Sequence, residues 1–267
     1  MKLGVIGSGK MASALVEGVL HAGAFAKEEI AVSDKFPAAV KALAEKTGVN
    51  GAANNAEVAA KSDVILLCVK PGDAMDALQA ARESLAGKLV VSILAGVTVA
   101  TLQKAAGEKA RVIRVMPNTP ALIHKGAAAY ATGQSATADD AAIVEKIFSS
   151  VGAVFRVKEE LLDVVTGLSG SGPAYVYVVI EALADAGVLM GLPRDLALRL
   201  AAQTVSGAAE MVLRTGLHPA QLKDQVTSPG GTTIAGLEAL EAAGIRAAFL
   251  GAVRAATERS RELGKES

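Results

Sequence analysis

The sequence has one cysteine, no tryptophan and three histidines, and aromatic residues fill only 3% of its 267 positions. Cys68 alone makes no internal disulfide, which removes the cross-linked secreted scaffolds and points to a reducing compartment, the cytoplasm. Net charge is also missing: 27 Lys and Arg balance 27 Asp and Glu. Without a basic run there is no footprint for a nucleic-acid backbone and no polybasic segment for a membrane surface. No uninterrupted apolar run approaches the roughly 20 residues that span a bilayer. The longest candidate, Ala174 to Leu192, is broken by Glu181 and Asp185. Met1-Lys2-Leu3-Gly4 lacks the apolar segment and cleavage pattern of a signal peptide. His, Cys, Asp and Glu show no metal-ligand spacing, so no metal is expected.

What the chain has is alanine (54 residues), glycine (27) and a 51% hydrophobic content. That apolar fraction excludes intrinsic disorder, and the length suits one large domain or two ordinary ones. Up to about residue 158, short aliphatic runs alternate with helical patterns. Lys2–Ile6, Ile30–Val32, Val64–Val69, Leu89–Leu94 and Arg111–Val115 read as strands. Lys10–His21, Pro37–Lys46, Asp73–Leu85, Thr98–Ala105 and Ala138–Ser150 read as helices. Continuous apolar strands separated by helices predict an α/β domain with a parallel sheet covered on both faces. From Glu159 onward the strands stop. Leu198, Ala201, Ala202, Val205, Ala208, Ala209 and Val212 recur at helical spacing, and Pro and Gly punctuate the pattern. The expected division is 1–158, a Rossmann-like dinucleotide-binding domain, and 159–267, an all-helical domain. Small side chains let helices approach closely but bury little area, so the helical half predicts an oligomer.

Gly7-Ser8-Gly9-Lys10-Met11-Ala12 fits G-x-G-x-x-A between the first strand and the first helix. The glycines permit the turn and the approach of a pyrophosphate, and the helix start supplies N–H donors. At the end of the second strand, Ser33-Asp34-Lys35 points two ways. Ser33 and Lys35 suit a 2′-phosphate, whereas Asp34 suits free ribose hydroxyls; the reading favours NADP over NAD.

Acid–base chemistry is poorly provided for. His21, His124 and His218 read as surface or helix-end residues, Cys68 lies in an apolar strand where burial makes a thiol inert, and Glu159 and Asp163 read as a solvated first turn of a helix. Hydride transfer to an already protonated imine asks for little more, because the cofactor brings the reductant. Two glycine-rich helix openings stand out: Thr166-Gly167-Leu168-Ser169-Gly170-Ser171-Gly172-Pro173 and Ser228-Pro229-Gly230-Gly231-Thr232-Thr233. The second places two glycines and three hydroxyls at a helix start, more than a cap requires, and suits a carboxylate.

These stretches, with Val5-Ile6-Gly7-Ser8-Gly9-Lys10-Met11-Ala12, Val69-Lys70-Pro71, Ala95-Gly96-Val97, Val112 to Pro120, Met190 to Pro193 and Gln221 to Asp224, run in order along the chain. The sequence resembles the Δ1-pyrroline-5-carboxylate reductase family over its whole length. The resemblance implies reduction of L-1-pyrroline-5-carboxylate to L-proline by NADPH or NADH, the last step of proline biosynthesis. It also implies a homodimer through the helical domain, assembled into a larger ring such as a decamer. By position, Ile6, Gly7, Ser8, Gly9, Lys10 and Met11 would embrace the pyrophosphate. Ser33 would meet the adenosine ribose or its phosphate, and Asn55 the adenine end. Val69, Lys70, Pro71, Leu94 and Ala95 would line the nicotinamide half. Ser228, Gly230, Gly231, Thr232 and Thr233 would hold the substrate carboxylate, Glu159 would lie at the substrate, and Thr166 would bond the ring nitrogen as the catalytic side chain. Gln225 stands where some relatives carry Asn. A β-hydroxyacid dehydrogenase would instead need an acid–base Lys in the helical half, for which Lys223 is the candidate, and a silent dinucleotide-binding oligomer would not need the second glycine loop.

Overall fold

A computed structural model describes residues 1–266. The chain alternates β1 (Leu3–Ile6), α1 (Lys10–His21), β2 (Ile30–Ser33), α2 (Pro37–Thr47), β3 (Asn50–Gly51), α3 (Asn55–Lys61), β4 (Val64–Leu67), α4 (Ala74–Gln79), β5 (Leu89–Ser92) and α5 (Val99–Ala106). It continues through β6 (Arg111–Met116), β7 (Gly126–Thr132), α6 (Ala138–Ser149), β8 (Gly152–Arg156), α7 (Leu162–Val165), a π-helical turn (Thr166–Gly170) and α8 (Gly172–Leu189). The remainder is helical: α9 (Arg194–Thr215), α10 (Pro219–Gln225), α11 (Thr232–Ala242) and α12 (Ile245–Glu266). The fold is α/β, with a Rossmann-like sheet followed by a helical region.

The strands form one sheet in the order β3-β2-β1-β4-β5-β6-β7-β8. Strands β1 to β6 are parallel; β7 joins antiparallel to β6, and β8 runs parallel to β7. Side chains alternate between two buried layers. Leu3, Val5, Leu66 and Ile113 pack with α1 and α6, whereas Ile6, Ile65, Leu67 and Val112 pack with α3, α4 and α5. Period-two alternation inside continuously apolar strands is what a sheet buried on both faces requires. Gly4 shows how closely the layers approach, since a Cβ there would lie 2.6 Å from Val58.

Several elements differ from the sequence pattern. The helix expected over Asp73–Leu85 is a short α4 flanked by 3₁₀ turns at Pro71–Asp73 and Arg82–Ser84. Strands β7 and β8, absent from the sequence reading, complete the sheet; β7 is mostly alanine and pairs by register with β6, Val115 opposite Tyr130. The glycine-rich stretch around Thr166, expected to open a helix, lies inside a helical run, where Thr166–Gly170 is a π turn. That run, Glu159–Leu189, is also long and apolar enough by composition to cross a membrane, although no continuous apolar segment signals it.

Packing divides the chain into two compact units, Met1–Ser171 together with the residues from Arg254 onward, and Gly172–Val253. Sequence character changes at residue 159, but the 159–171 segment packs with the sheet. In the first unit, the Ser260 hydroxyl donates to Asp163 Oδ1 at 2.8 Å, and a Cβ on Gly264 would meet the Gly96 carbonyl at 2.7 Å. These contacts seat the last turns of α12. The second unit is centred on Ala184, Ala197 and Ala201, where α8 and α9 approach closely. Its outer faces carry Tyr177, Val178, Leu189, Met190, Leu213 and Leu250, all exposed.

Candidate active site

The turn after β1 is built for glycine. Gly7 has φ +100°, and a Cβ on it would lie 2.6 Å from the Cys68 carbonyl carbon and oxygen. Strands β1 and β4 therefore meet backbone to backbone where the strand order changes direction, the crevice in which doubly wound sheets bind nucleotides. Gly9 meets nothing within 4 Å of an added Cβ and leads into α1. No side chain caps the first amides of α1, so its positive end is open toward an anion.

A cleft of about 500 Å³ lies over this crevice. Ile6, Gly7, Gly9, Asn55, Val69 and Lys70 line it, together with Cys68. The remaining expected cofactor residues are not among those that line it. Lys10 borders a separate polar depression with Glu17 and His124, and Met11 packs on the core. Pro71 opens the 3₁₀ turn after β4. Leu94 is buried in the layer that packs with α3, α4 and α5, and Ala95 is half-buried.

The end of β2 is bound inward. Ser33 is 1% exposed, and its hydroxyl donates to Asn55 Oδ1 at 2.8 Å. The Ser8 N–H donates to Asp34 Oδ2 at 2.6 Å, and the Phe36 N–H donates to Asp34 Oδ1 at 2.9 Å. Lys35 pairs with Asp73 at 2.7 Å and lies over the exposed ring of Phe36. Phe36 and Asp73 line the cleft without having been singled out in the sequence; an exposed aromatic just after the second strand was the available signal.

Thr166 begins the π turn, and its hydroxyl donates to Leu162 O at 2.8 Å. Glu159 accepts the Val99 N–H at 2.6 Å, at the start of α5, and lies 3.7 Å from Arg114. It is thus part of a charged cluster with Arg114 and Asp163, which lie 3.4 Å apart. In the second unit, Ser228, Gly230, Gly231, Thr232 and Thr233 gather at the start of α11. Gly230 adopts φ +65°, Gly231 donates to the Ser228 carbonyl, and no side chain caps the helix.

The other titratable candidates have structural roles. His218 Nδ1 accepts from Ala220 at the start of α10, and His21 packs on His124. Burial pushes the Cys68 thiol up to about 12, so it stays protonated. Lys223 pairs with Asp224 at 3.1 Å, which occupies the acid–base group that a hydroxyacid mechanism would use. Among the described residues no group of three His, Cys, Asp or Glu is placed to hold a metal.

Known proteins share this arrangement. Residues 159–263 match the family described as pyrroline-5-carboxylate reductase dimerisation, and residues 2–96 match the NADP oxidoreductase, coenzyme F420-dependent family. The pyrroline-5-carboxylate reductase of Methanosarcina acetivorans is 50% identical over 99% of this chain and 98% of its own length. The chain belongs to the pyrroline-5-carboxylate reductase family. Family members of known structure have the same fold. That of Plasmodium falciparum, solved with NADP bound, is 37% identical with a TM-score of 0.88 over 99% of this chain and 98% of its own. That of Coxiella burnetii is 35% identical with a TM-score of 0.92 over 98% of both chains.

Proposed function

We propose that this reductase-family chain reduces L-1-pyrroline-5-carboxylate to L-proline, the last step of proline biosynthesis. The observation that carries the reading is end-to-end similarity to a curated pyrroline-5-carboxylate reductase, covering both glycine-rich helix starts. A bound NADPH supplies the hydride. The chain's own part is positioning: the Gly7–Gly9 turn and the start of α1 hold the pyrophosphate, and Asn55, Val69 and Lys70 line the length of the cofactor. The hydroxyls and N–H groups from Ser228 to Thr233 bind the substrate carboxylate. Thr166, whose own proton is committed to Leu162 O, offers a lone pair to the N–H of a protonated imine.

NADPH is favoured over NADH in this reading. Both Asp34 oxygens accept backbone N–H groups, which offsets part of the charge that would repel a 2′-phosphate, and the Plasmodium relative was solved with NADP. We assign residues 1–158 to cofactor binding and 159–267 to substrate binding and dimerisation. The exposed apolar faces of α8 and α9 suit a second copy of the chain better than lipid, because they fall in the segment that matches a dimerisation family. The unit is a homodimer, extended to a ring such as a decamer, in the cytoplasm. Loss of absorbance from NADPH and from NADH, each with pyrroline-5-carboxylate as substrate, tests the activity and the preference together. Absence of turnover with both cofactors would refute it.

A further inference from the structure

One face of β6 runs along the helical segment that carries Thr166. Arg114 reaches Glu159 and Asp163, and two residues on, Met116 packs with Leu162 and Val165. A Cβ on Gly170 would lie 2.6 Å from Met116 Cε, so the π turn is pressed against this side chain. Two residues further, with the backbone still extended (φ −134°, ψ 167°), Asn118 Nδ2 donates to the Ser169 carbonyl at 3.1 Å. The amide is oriented from its other end, because Asn118 Oδ1 accepts the Ala127 N–H at 2.8 Å.

The Ser169 carbonyl has no α-helical donor. Its α-helical partner would be the N–H four residues on, but that residue is Pro173, which has none. The turn is wide as well, with the Ser171 N–H donating to Thr166 O at 2.8 Å, five residues back. A π turn persists where its surroundings over-determine it, and such turns concentrate at functional sites.

We infer that Asn118 is a positioning residue: by supplying the donor that Pro173 lacks, it holds the π turn in register and so fixes the rotation at which Thr166 presents its hydroxyl. The inference rests on the role proposed for Thr166. Asn118→Ala removes both amide bonds, whereas Asn118→Asp keeps an acceptor for Ala127 but sets a carboxylate oxygen against the Ser169 carbonyl. The two bonds therefore separate. The melting temperature is expected to fall in Asn118→Ala and to recover only in part in Asn118→Asp, which regains the Ala127 bond but faces the Ser169 carbonyl with an oxygen. Turnover is expected to fall roughly tenfold in both, with NADPH affinity by fluorescence titration unchanged. Turnover that recovers with stability in Asn118→Asp, or that never falls, would overturn the inference. Thr166→Ala completes a cycle: in that background Asn118→Asp should cost less than about twofold, because the group it positions is gone. Full additivity there overturns the route through Thr166, whereas wild-type turnover in Thr166→Ala overturns the role given to Thr166 itself.

Discussion

The carboxylate of Asp34 accepts the backbone N–H of Ser8 at 2.6 Å, which ties the end of β2 to the middle of the glycine turn. A negative charge therefore sits beside the amides of the glycine turn proposed to hold the cofactor, and one of those amides is already taken.

Asp34→Ser removes that charge and frees the Ser8 amide. A 2′-phosphate is relieved of a repelling charge, whereas free ribose hydroxyls lose a hydrogen-bond acceptor, so preference for NADPH over NADH should rise by about fivefold to tenfold. The ratio of kcat/KM for the two cofactors reads this directly, and an unaltered ratio would show that Asp34 does not face the ribose.

Gly7→Ala meets backbone, which cannot rotate away as a side chain can. At φ +100°, with Cys68 main-chain atoms 2.6 Å from the new Cβ, β1 and β4 must separate at the turn proposed to bind the pyrophosphate. The expected outcome is a lower melting temperature together with a loss of NADPH affinity of roughly tenfold or more, by fluorescence titration. Gly9→Ala, which meets open space, should keep its stability.

Thr233→Ala acts in the second unit, at the start of α11. Removing one hydroxyl from a carboxylate site weakens capture by about tenfold while leaving the cofactor untouched, so KM for pyrroline-5-carboxylate rises and KM for NADPH does not. Unchanged steady-state constants would remove Thr233 from the site.

Alkaline stability should carry the signature of Cys68. Burial pushes its thiol from an ordinary value of 9.0 to about 12, so the folded chain keeps a proton that the unfolded chain gives up. The stabilising proton is fully present in both states below about pH 9. Between about pH 9 and 12, stability falls with rising pH by at most about 1.4 kcal/mol per unit from this group. Tyr130, pushed up to about 12 by burial and by its bond to Glu145, adds a second loss from about pH 10. Urea midpoints across this range should fall less steeply in Cys68→Ala, and equal slopes would show that the thiol is not protected.

What was legible in the sequence was local. Aliphatic runs ending in glycine placed β1, α1 and the cofactor turn, because burial on both faces and the turn's conformation act on neighbouring residues. Strand β7 was not legible: Gly126-Ala-Ala-Ala-Tyr-Ala-Thr132 has little intrinsic strand preference, and its place comes from pairing with β6. The π turn was hidden for a related reason. Gly-Ser-Gly-Pro reads as the opening of a helix, and the Asn118 donor that meets the π turn before it is 51 residues away in the chain. Likewise Ser33-Asp34-Lys35 announced a cofactor contact, but the direction of Asp34 depends on Ser8.

The Ser260–Asp163 bond closes a loop of 97 residues, and the second unit lies wholly inside it as an insertion. During synthesis, the nucleotide-binding unit cannot be finished when its last strand leaves the ribosome; it waits until the region around Gly264 has emerged. By then every residue of the second unit has left the ribosome. A fusion that crowds the end of α12 would disturb the Gly96 turn, far from it in sequence.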